Sequence, residues 1–342
     1  MTAPRQQPIA ASVANVAIAL NAVLAAIEDE TPKVLSVRSP SGDLGLPYGP
    51  FDPERHRTFE IGMREWVERQ TKVQLGYIEQ LYTFGDKGRE APAAALDGGA
   101  HDERVVSVGY LALAPAPGDM RAQDASWRSW YQYFPWEDWR QGEPEILRAR
   151  ILGELESWVE RADDQAHVSA RRARVNLAFG LDGLGWEEER TIDRYELIYE
   201  AGLVFEAWRD RATAGLAPPR GRKPAGREMG DTMISDHRRI LATAIGRLRG
   251  KLKYRPILFE MTRPKFTLLD LQHTVEAIVG FEFHKQNFRR SVEKSGFVEP
   301  TGETTQQTSG RPAALFQVDR TGVRARAASG LAIPRMRGLH RI

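Results

Sequence analysis

The stretch from Thr267 to Pro300 constrains the fold most, because it carries the start and stop signals of two short helices. Thr267 followed by Asp270 is typical of a helix N-terminus, where such side chains accept bonds from otherwise unpaired backbone N–H groups. Gly280 and Gly296 are natural helix ends, since glycine tolerates the left-handed backbone conformation. The residues expected to face inward or to anchor the turn are Leu268, Leu271, Val275, Ile278, Phe281, Phe283, Phe288 and Val292.

The second of these helices presents long hydrogen-bond donors on its outward side. They are Lys285, Gln286, Asn287, Arg289, Arg290 and Lys294, with Asn287 and Lys294 near the edges. The sequence then predicts a strand, a polar tip that contains Gly310 and Arg311, and a returning strand. Helix, turn, helix and hairpin is the order of a winged helix. Such a module places its second helix in the major groove of DNA and its hairpin tip on the backbone or minor groove.

These side chains suit the reading of bases, because Arg and Lys can bond guanine and Gln and Asn can bond adenine. An arginine-rich tail without acidic residues follows Arg320, which agrees with DNA binding. The six helix residues and Arg311 are therefore the candidate DNA-binding residues, and double-stranded DNA is the expected partner. The alternative is an ordinary solvated helix face beside a polar turn.

The net charge of +2 over 342 residues is nearly neutral, so a nucleic-acid surface must come from local clustering of charge. The absence of cysteine excludes disulfides, thiolate metal sites and cysteine nucleophiles. The apolar run from Ser12 to Ile27 follows no clear basic segment, so it predicts a buried element rather than a signal peptide. No other run approaches the length of a membrane span, and we expect a cytoplasmic protein without membrane contact.

The rest of the chain alternates strand-like and helical patterns, which is typical of an α+β fold. Runs rich in valine and leucine predict strands at Val34–Arg38 and Arg104–Pro115, and helical spacing predicts a helix at Phe59–Gln70. A helical, aromatic middle region has two further apolar faces, at Ile146–Val159 and Leu197–Trp208. The segments predicted as loops are Asp86–Glu103 and Thr213–Asp231, the second of them basic and mobile.

The segment Leu46–Val73 resembles the Nudix box, in which a glycine and a glutamate precede a helix of the pattern R-E-U-x-E-E, with U an aliphatic residue. Gly49 matches the opening glycine. The matches inside the helix are Arg64, Glu65 and Glu68. The departures are Arg55 at the first glutamate, Arg69 at the second paired glutamate, Trp66 at the aliphatic position, Thr71 at a glycine, and one extra residue before Arg64.

These departures affect the chemistry of the box. Nudix hydrolases cleave diphosphates with divalent cations held by these carboxylates, and such hard cations need clustered oxygen ligands. An arginine in place of a ligand removes an oxygen donor and adds a positive charge, so we expect no metal site and no catalytic residue here. A cationic groove can still hold a diphosphate without cutting it. The alternative is a helix whose charges are merely solvated.

A degenerate Nudix box followed by a winged helix resembles the Nudix-related, NrtR-like transcriptional regulators of NAD metabolism. The segments that carry this resemblance are Gly76–Asp86, Arg104–Leu113, Asp236–Met261 and Phe266–Phe316. The additional segment at about 141–231, together with the aromatic run 127–140, resembles the alphaproteobacterial NadQ type, repressors of de novo NAD synthesis.

The resemblance implies a domain organisation and partners. A Nudix-like α/β/α sandwich domain over residues 1–250, with a helical insertion at about 141–231, precedes a winged helix over 251–320 and a basic tail over 321–342. It also implies a homodimer that binds palindromic operators and represses genes of NAD biosynthesis. The apolar faces at Ile146–Val159 and Leu197–Trp208 exceed the needs of one small Nudix core, which independently favours a dimer.

The resemblance further implies that the Nudix-like domain senses an adenine nucleotide, with NAD, ATP and ADP-ribose as candidates and no cofactor required. The candidate ligand-binding residues are Arg38, Arg55, Arg64, Arg69, Tyr82 and Phe84. Arg38 ends a strand that borders the cleft in the family. The other arginines offer positive charge for a diphosphate. The loop that contains Tyr82 and Phe84 can contact a base. The alternative is that both aromatic residues are core and that the arginines pair with Glu65 and Glu68.

The aromatic run has two interpretations as well. Its members are Trp127, Trp130, Tyr131, Tyr133, Phe134, Trp136 and Trp139. Most of them must pack, because so much exposed aromatic surface causes aggregation, while one or two can stack on adenine or nicotinamide.

Three classes of function remain open at this point. The first is a DNA-binding repressor tuned by a nucleotide. The second is an active Nudix hydrolase of a nucleoside diphosphate derivative with an appended interaction domain, and the third is an interaction module for an acidic protein. Intact carboxylates would favour the hydrolase, whereas Arg55 and Arg69 favour the repressor.

Overall fold

The computed structural model describes residues 16–39, 42–73, 75–89, 104–117, 124–253, 256–305 and 312–325. Arg311, most of the predicted basic tail and most of the predicted loop Asp86–Glu103 lie outside these ranges. No helix within them is long and apolar enough to cross a membrane.

A mixed sheet of seven strands forms the centre of the N-terminal part. The strands are β1 (Val16–Glu28), β2 (Thr31–Arg38), β3 (Leu44–Gly45), β4 (Tyr48–Pro50), β5 (Ile78–Phe84), β6 (Arg104–Leu113) and β7 (Ala125–Ser129). The main order is β3-β2-β1-β6-β5, with β4 on β1 and β7 on β2. The long strands β1 and β6 pair in parallel, from Val16 opposite Arg104 to Ala25 opposite Leu113. The predicted buried element before residue 27 and both predicted strands are confirmed.

Helices cover both faces of this sheet, because β1 and β6 are apolar on both sides. Helix α1 (Phe59–Thr71) starts at Thr58, whose side chain accepts a bond from the Ile61 amide at 3.3 Å, and it packs Met63 against Leu20. The opposite face joins a larger core that contains Val23 and helix α6 (His237–Leu252). The predicted α/β/α layering of an α+β protein is thus confirmed.

The middle region adds four helices, α2 (Leu152–Glu160), α3 (Gln165–Phe179), α4 (Thr191–Glu200) and α5 (Phe205–Thr213). A π-helical turn at Leu147–Ile151 leads into α2. The expected continuous apolar face at Leu197–Trp208 is wrong in its second half. The helix stops at Glu200, Gly202 adopts a φ of +76°, and Phe205 is 40% exposed.

The apolar faces of these helices are buried within the chain itself. Ile151, Leu155, Leu197 and Ile198 all lie in the same core as the aromatic run. The surplus of apolar surface that predicted a dimer is therefore absent from these positions. The segment after α5 is a loop as predicted, and Arg227 pairs with the buried Asp231 at 2.8 Å near its end.

The aromatic run packs, as the first of its two interpretations predicts. The side chains that are at most 1% exposed are Trp130, Tyr133, Phe134 and Trp136. Their rings are therefore closed to a ligand in this conformation. Glu137, in the same run, accepts from Arg194 of α4 at 2.6 Å and from Arg249 of α6 at 2.5 Å, with all three side chains buried.

The C-terminal part contains α7 (Leu268–Val279), α8 (Lys285–Ser295), the hairpin strands β8 (Val298–Thr304) and β9 (Ala314–Val318), and the short helix α9 (Arg320–Ala325). Thr267 and Asp270 form the predicted reciprocal cap. Gly280 and Gly296 end α7 and α8 with φ values of +88° and +66°. The predicted winged-helix order is confirmed, whereas the exact limits of the domains stay a prediction.

Candidate nucleic-acid interface and ligand cleft

Helix α8 is amphipathic, with a buried side and a polar side. Phe288 and Val292 are 6% and 1% exposed, and both belong to the core. All six predicted donors of this helix are exposed. At 100° per residue, Gln286 and Arg290 lie nearly opposite Phe288, while Lys285 lies closer to the buried side. The centre of the outward face therefore contains one amide and one guanidinium.

An acidic residue that the sequence reasoning did not single out lies on the same face. Glu293 is exposed, and its carboxylate accepts from Nε of Arg289 at 2.8 Å. The spacing of four residues is the ordinary one for an ion pair along a helix, so the pattern itself offered the signal. Arg289 is thus paired within the helix, and the structure records no such partner for Arg290 among the described residues.

Buried polar side chains of α7 fix the turn before α8. Glu276 accepts from the Phe283 amide at 2.7 Å, and Gln272 donates to the Phe283 carbonyl at 3.1 Å and to Glu276 at 2.8 Å. These bonds satisfy backbone groups that the turn buries. The phenylalanine anchor at Phe283 and this network together set the angle at which α8 leaves α7.

The same turn is attached to the aromatic run. The Trp139 amide donates to the Gly280 carbonyl at 2.6 Å, and the Tyr131 hydroxyl donates to the Ala277 carbonyl at 2.7 Å. A Cβ on Gly280 would come within 2.4 Å of the Glu137 carbonyl oxygen. The glycine therefore serves two purposes, a left-handed helix end and a close approach between the two parts of the chain.

Around the Nudix-like helix α1, carboxylates pair with basic side chains. Arg55 Nη2 lies 2.6 Å from Glu65 Oε1, and His56 Nε2 lies 3.2 Å from Glu65 Oε2. Arg64 Nε lies 2.9 Å from Glu60. Within the described ranges, no group of three or more His, Cys, Asp or Glu side chains is placed to hold a metal ion.

The four candidate ligand-binding arginines have separate intramolecular contacts. Arg64 donates to the Leu75 carbonyl at 2.5 Å, Arg69 stacks at 3.9 Å over the Trp66 ring, and Arg38 donates to the Gly42 carbonyl at 3.0 Å. With Arg55 on Glu65, this matches in part the alternative of internal pairing. Gly49, the opening residue of the box, packs against Trp66 so closely that a Cβ would lie 2.0 Å from the ring.

The two candidate aromatic residues of β5 differ in exposure. Tyr82 is 64% exposed, whereas Phe84 is 3% exposed and belongs to the core. Their rings meet edge to face at 5.5 Å. A base can therefore reach Tyr82 but not Phe84 in this conformation. The burial of Phe84 matches the alternative of a core role for that residue, and a ligand contact of Tyr82 stays a prediction.

Comparison with known proteins decides the nature of the C-terminal part. The family model of the NrtR DNA-binding winged helix domain matches residues 258–318. These residues form an NrtR-type winged helix domain. They include α7, α8 and the described parts of the hairpin, and thus all the candidate DNA-binding residues.

Two relatives extend the comparison. The chain is 37% identical over 82 residues to the ADPR responsive transcriptional repressor NtrR of Acinetobacter baylyi, and this alignment covers 24% of our chain and 32% of that protein. The aligned segment thus spans about a third of the curated relative. The crystal structure of Shewanella oneidensis NrtR complexed with a 27mer DNA matches with a TM-score of 0.51 at 20% identity, over 94% of this chain and 99% of that one.

These findings confirm two predictions. The fold is that of NrtR, a Nudix-like domain followed by a winged helix. The resemblance to NrtR-like regulators is confirmed as well. The finer assignment to the NadQ type stays a prediction.

Proposed function

We propose that this protein is a DNA-binding transcriptional repressor that reads its operator with α8. The observation that carries the proposal is the exposed donor face of α8 within a domain that matches the NrtR DNA-binding winged helix. Helix-turn-helix proteins contact base edges with the N-terminal part of the second helix. Gln286 and Arg290 lie centrally on that face, which suits the recognition of adenine and guanine.

Arg289 and Glu293 contribute in a different way. In the free protein their ion pair keeps the guanidinium away from a full set of bonds to DNA. An exposed pair of this kind contributes little to stability, so it can open when a base or phosphate competes for the arginine. Glu293 is then free to accept from the amino group of cytosine.

The Nudix-like domain is proposed to respond to ADP-ribose or a related adenine nucleotide. The repressor of Acinetobacter baylyi that aligns with part of this chain is ADPR responsive. Tyr82 offers an exposed ring for a base. Arg55, just before the Nudix-like helix, and Arg69, in its last turn, are exposed cations. A diphosphate can compete for such arginines because guanidinium–phosphate bonds are strong and often bidentate.

Hydrolysis of a diphosphate is not part of the proposal. Arg55 occupies the position of a box carboxylate and pairs with Glu65 at 2.6 Å, so one of the two box carboxylates that remain, Glu65 and Glu68, is neutralised by a cation rather than left for a metal. A known relative that aligns with part of the chain is a transcriptional repressor. Binding without cleavage is the behaviour that a sensor requires.

A homodimer on a palindromic operator remains a proposal too. Its support is the symmetry argument: a two-fold protein matches two half-sites about one helical turn apart. The helices α2 and α4 no longer support it, since their apolar sides are buried in the chain's own core.

The experiment begins with selection of bound duplexes from a random DNA library by the full chain. Replacing Arg290 by Ala should weaken binding of the selected duplex by about 1–3 kcal/mol and relax the choice of base at one position. Lys223→Ala is the control, because Lys223 is an exposed cation of the loop after α5 and not of the winged helix. Fluorescence anisotropy gives the affinities, and light scattering of the complex gives the number of chains. Equal affinities for both variants would contradict the assignment of α8.

A further inference from the structure

A cavity of about 700 Å³ opens between the helical insertion and the loop after β5. Its walls come from α2, α3, α4, α5 and the loop after α5 on one side and from residues 87–89 on the other. None of the residues that the sequence reasoning assigned to a ligand lines it. Volumes between about 300 and 1,000 Å³ are usual for sites that hold small organic ligands.

The charged residues that line the cavity are mostly basic. The basic residues are Lys87, Arg89, Arg161, Arg171, Arg211 and Arg220, and the acidic ones are Asp163, Glu200 and Asp210. Six cations against three carboxylates leave an excess of positive charge. Concave walls of low dielectric concentrate such a field, which favours an anionic ligand.

Arg89 adds a specific donor to this charge. Its Nε lies 3.1 Å from Asp236 and its Nη1 lies 2.9 Å from Glu196. Its Nη2 is buried and has no hydrogen-bond partner among the described residues. A buried N–H group without an acceptor is costly, and Arg89 is itself one of the residues that line the cavity.

Two aromatic rings supply the apolar part of the walls. The guanidinium carbon of Arg171 lies 4.3 Å from the centroid of the Trp158 ring. That of Arg89 lies 3.9 Å from the centroid of the Tyr199 ring. Flat rings beside guanidinium groups are the arrangement in which nucleic bases stack, since a base tolerates both kinds of partner. The site therefore combines surfaces for a planar ring with donors for a phosphate.

We propose that this cavity binds a nucleotide, an aromatic base that carries phosphate, at a site separate from the Nudix-like cleft. The insertion that builds it is the part of the chain that the sequence reasoning marks as additional to the shorter regulators. Nucleotide binding in this cavity does not require DNA binding, so its test is independent of the test of the proposed function.

Calorimetric titration of the full chain with ATP tests the proposal, with adenosine and inorganic triphosphate as probes of the two halves of the ligand. Arg220 is an exposed cation of the cavity wall, and Arg220→Glu should weaken ATP binding at least about tenfold, since a charge-assisted bond becomes a repulsion. Lys223→Glu makes the same charge change three residues away in the same loop, outside the lining, and should leave binding unchanged.

A second variant separates this site from the Nudix-like cleft. Tyr82→Ala changes an exposed residue that does not line the cavity, so it should leave the Arg220-sensitive binding intact. Weaker binding of adenosine and of triphosphate than of ATP would agree with a site for both halves. Equal ATP affinity in Arg220→Glu and Lys223→Glu, loss of all binding in Tyr82→Ala, or no binding of ATP at millimolar concentration would overturn the proposal.

Discussion

Glu137 shows at the scale of single residues how this chain joins its parts. Both carboxylate oxygens are bonded to guanidinium groups, Oε1 to Arg194 at 2.6 Å and Oε2 to Arg249 at 2.5 Å. Burial alone would raise the pKa of Glu137, but the two arginines outweigh it and hold the pKa below its ordinary 4.5. Removing one partner of such a buried set leaves an uncompensated charge, so the three residues are mutually dependent.

His237 makes stability depend on pH. Its buried Nδ1 accepts from the Leu46 amide at 2.9 Å, and burial lowers its pKa from the ordinary 6.5 to about 3. Because the folded pKa is depressed, the unfolded chain binds the proton first, and stability falls as the pH drops below the unfolded value. From this residue alone, the free energy of unfolding of the wild type should fall by about 2 kcal/mol between about pH 7.5 and about pH 5.

The variant His237→Asn is the test, because its amide oxygen can accept the same bond and does not titrate. Urea unfolding at both pH values should show the extra loss in the wild type and not in the variant. The same pH dependence in both proteins would refute the assigned role of His237.

The exposed face of α8 was predictable, whereas the contacts of the candidate ligand-binding residues were not. Exposure of Gln286 and Arg290 follows from helical periodicity, once Phe288 and Val292 are placed inward. The contact of Arg64 with the Leu75 carbonyl and the burial of Phe84 depend on how distant segments approach each other. Local patterns contain no information on that approach.

At the scale of elements, apolar periodicity predicted most strands and helices but missed a break. The pattern across Leu197–Trp208 continues through Ala201, yet the helix ends at Glu200 because Gly202 turns with a φ of +76° and lies against Pro219. A lone glycine in a helical pattern lowers the stability of the helix but does not by itself predict that the helix ends there. The contact that decides the matter comes from a loop seventeen residues later.

The turn between α7 and α8 gives a test at this scale. Gly280→Ala puts a Cβ within 2.4 Å of the Glu137 carbonyl oxygen at a φ of +88°. Gly302→Ala is the matched control, since Gly302 has a φ of +80° and nothing within 4 Å of such a Cβ. The backbone strain of about 1–2 kcal/mol is common to both variants. Gly280→Ala should therefore lower the free energy of unfolding clearly more than Gly302→Ala does.

Urea unfolding monitored by circular dichroism measures both variants. A larger loss of unfolding free energy for Gly280→Ala assigns the excess to the close approach between the turn and the aromatic run. Equal losses would show that the turn does not need this approach.

At the scale of the whole molecule, contacts connect the insertion to the turn between α7 and α8. Tyr199 of α4 lines the cavity, and Arg194 on the same helix bonds Glu137. The carbonyl of Glu137 lies against Gly280, and Arg249 donates to the Ile278 carbonyl at 2.8 Å. A ligand that shifts α4 therefore has packed, buried groups through which it can bias the position of α8. Coupling requires in addition that ligand and DNA favour different conformations.

The measurement that tests the central claim most directly is the affinity for a selected duplex as a function of ADP-ribose concentration. Fluorescence anisotropy of the full chain should show a higher affinity for the selected duplex than for a scrambled duplex. ADP-ribose should change the affinity for the selected duplex by about 5- to 150-fold, the usual range of coupling. Linkage requires DNA to change the ADP-ribose affinity by the same factor. Equal affinity for selected and scrambled duplexes, or an affinity that is constant from zero to millimolar ADP-ribose, would contradict a nucleotide-tuned repressor.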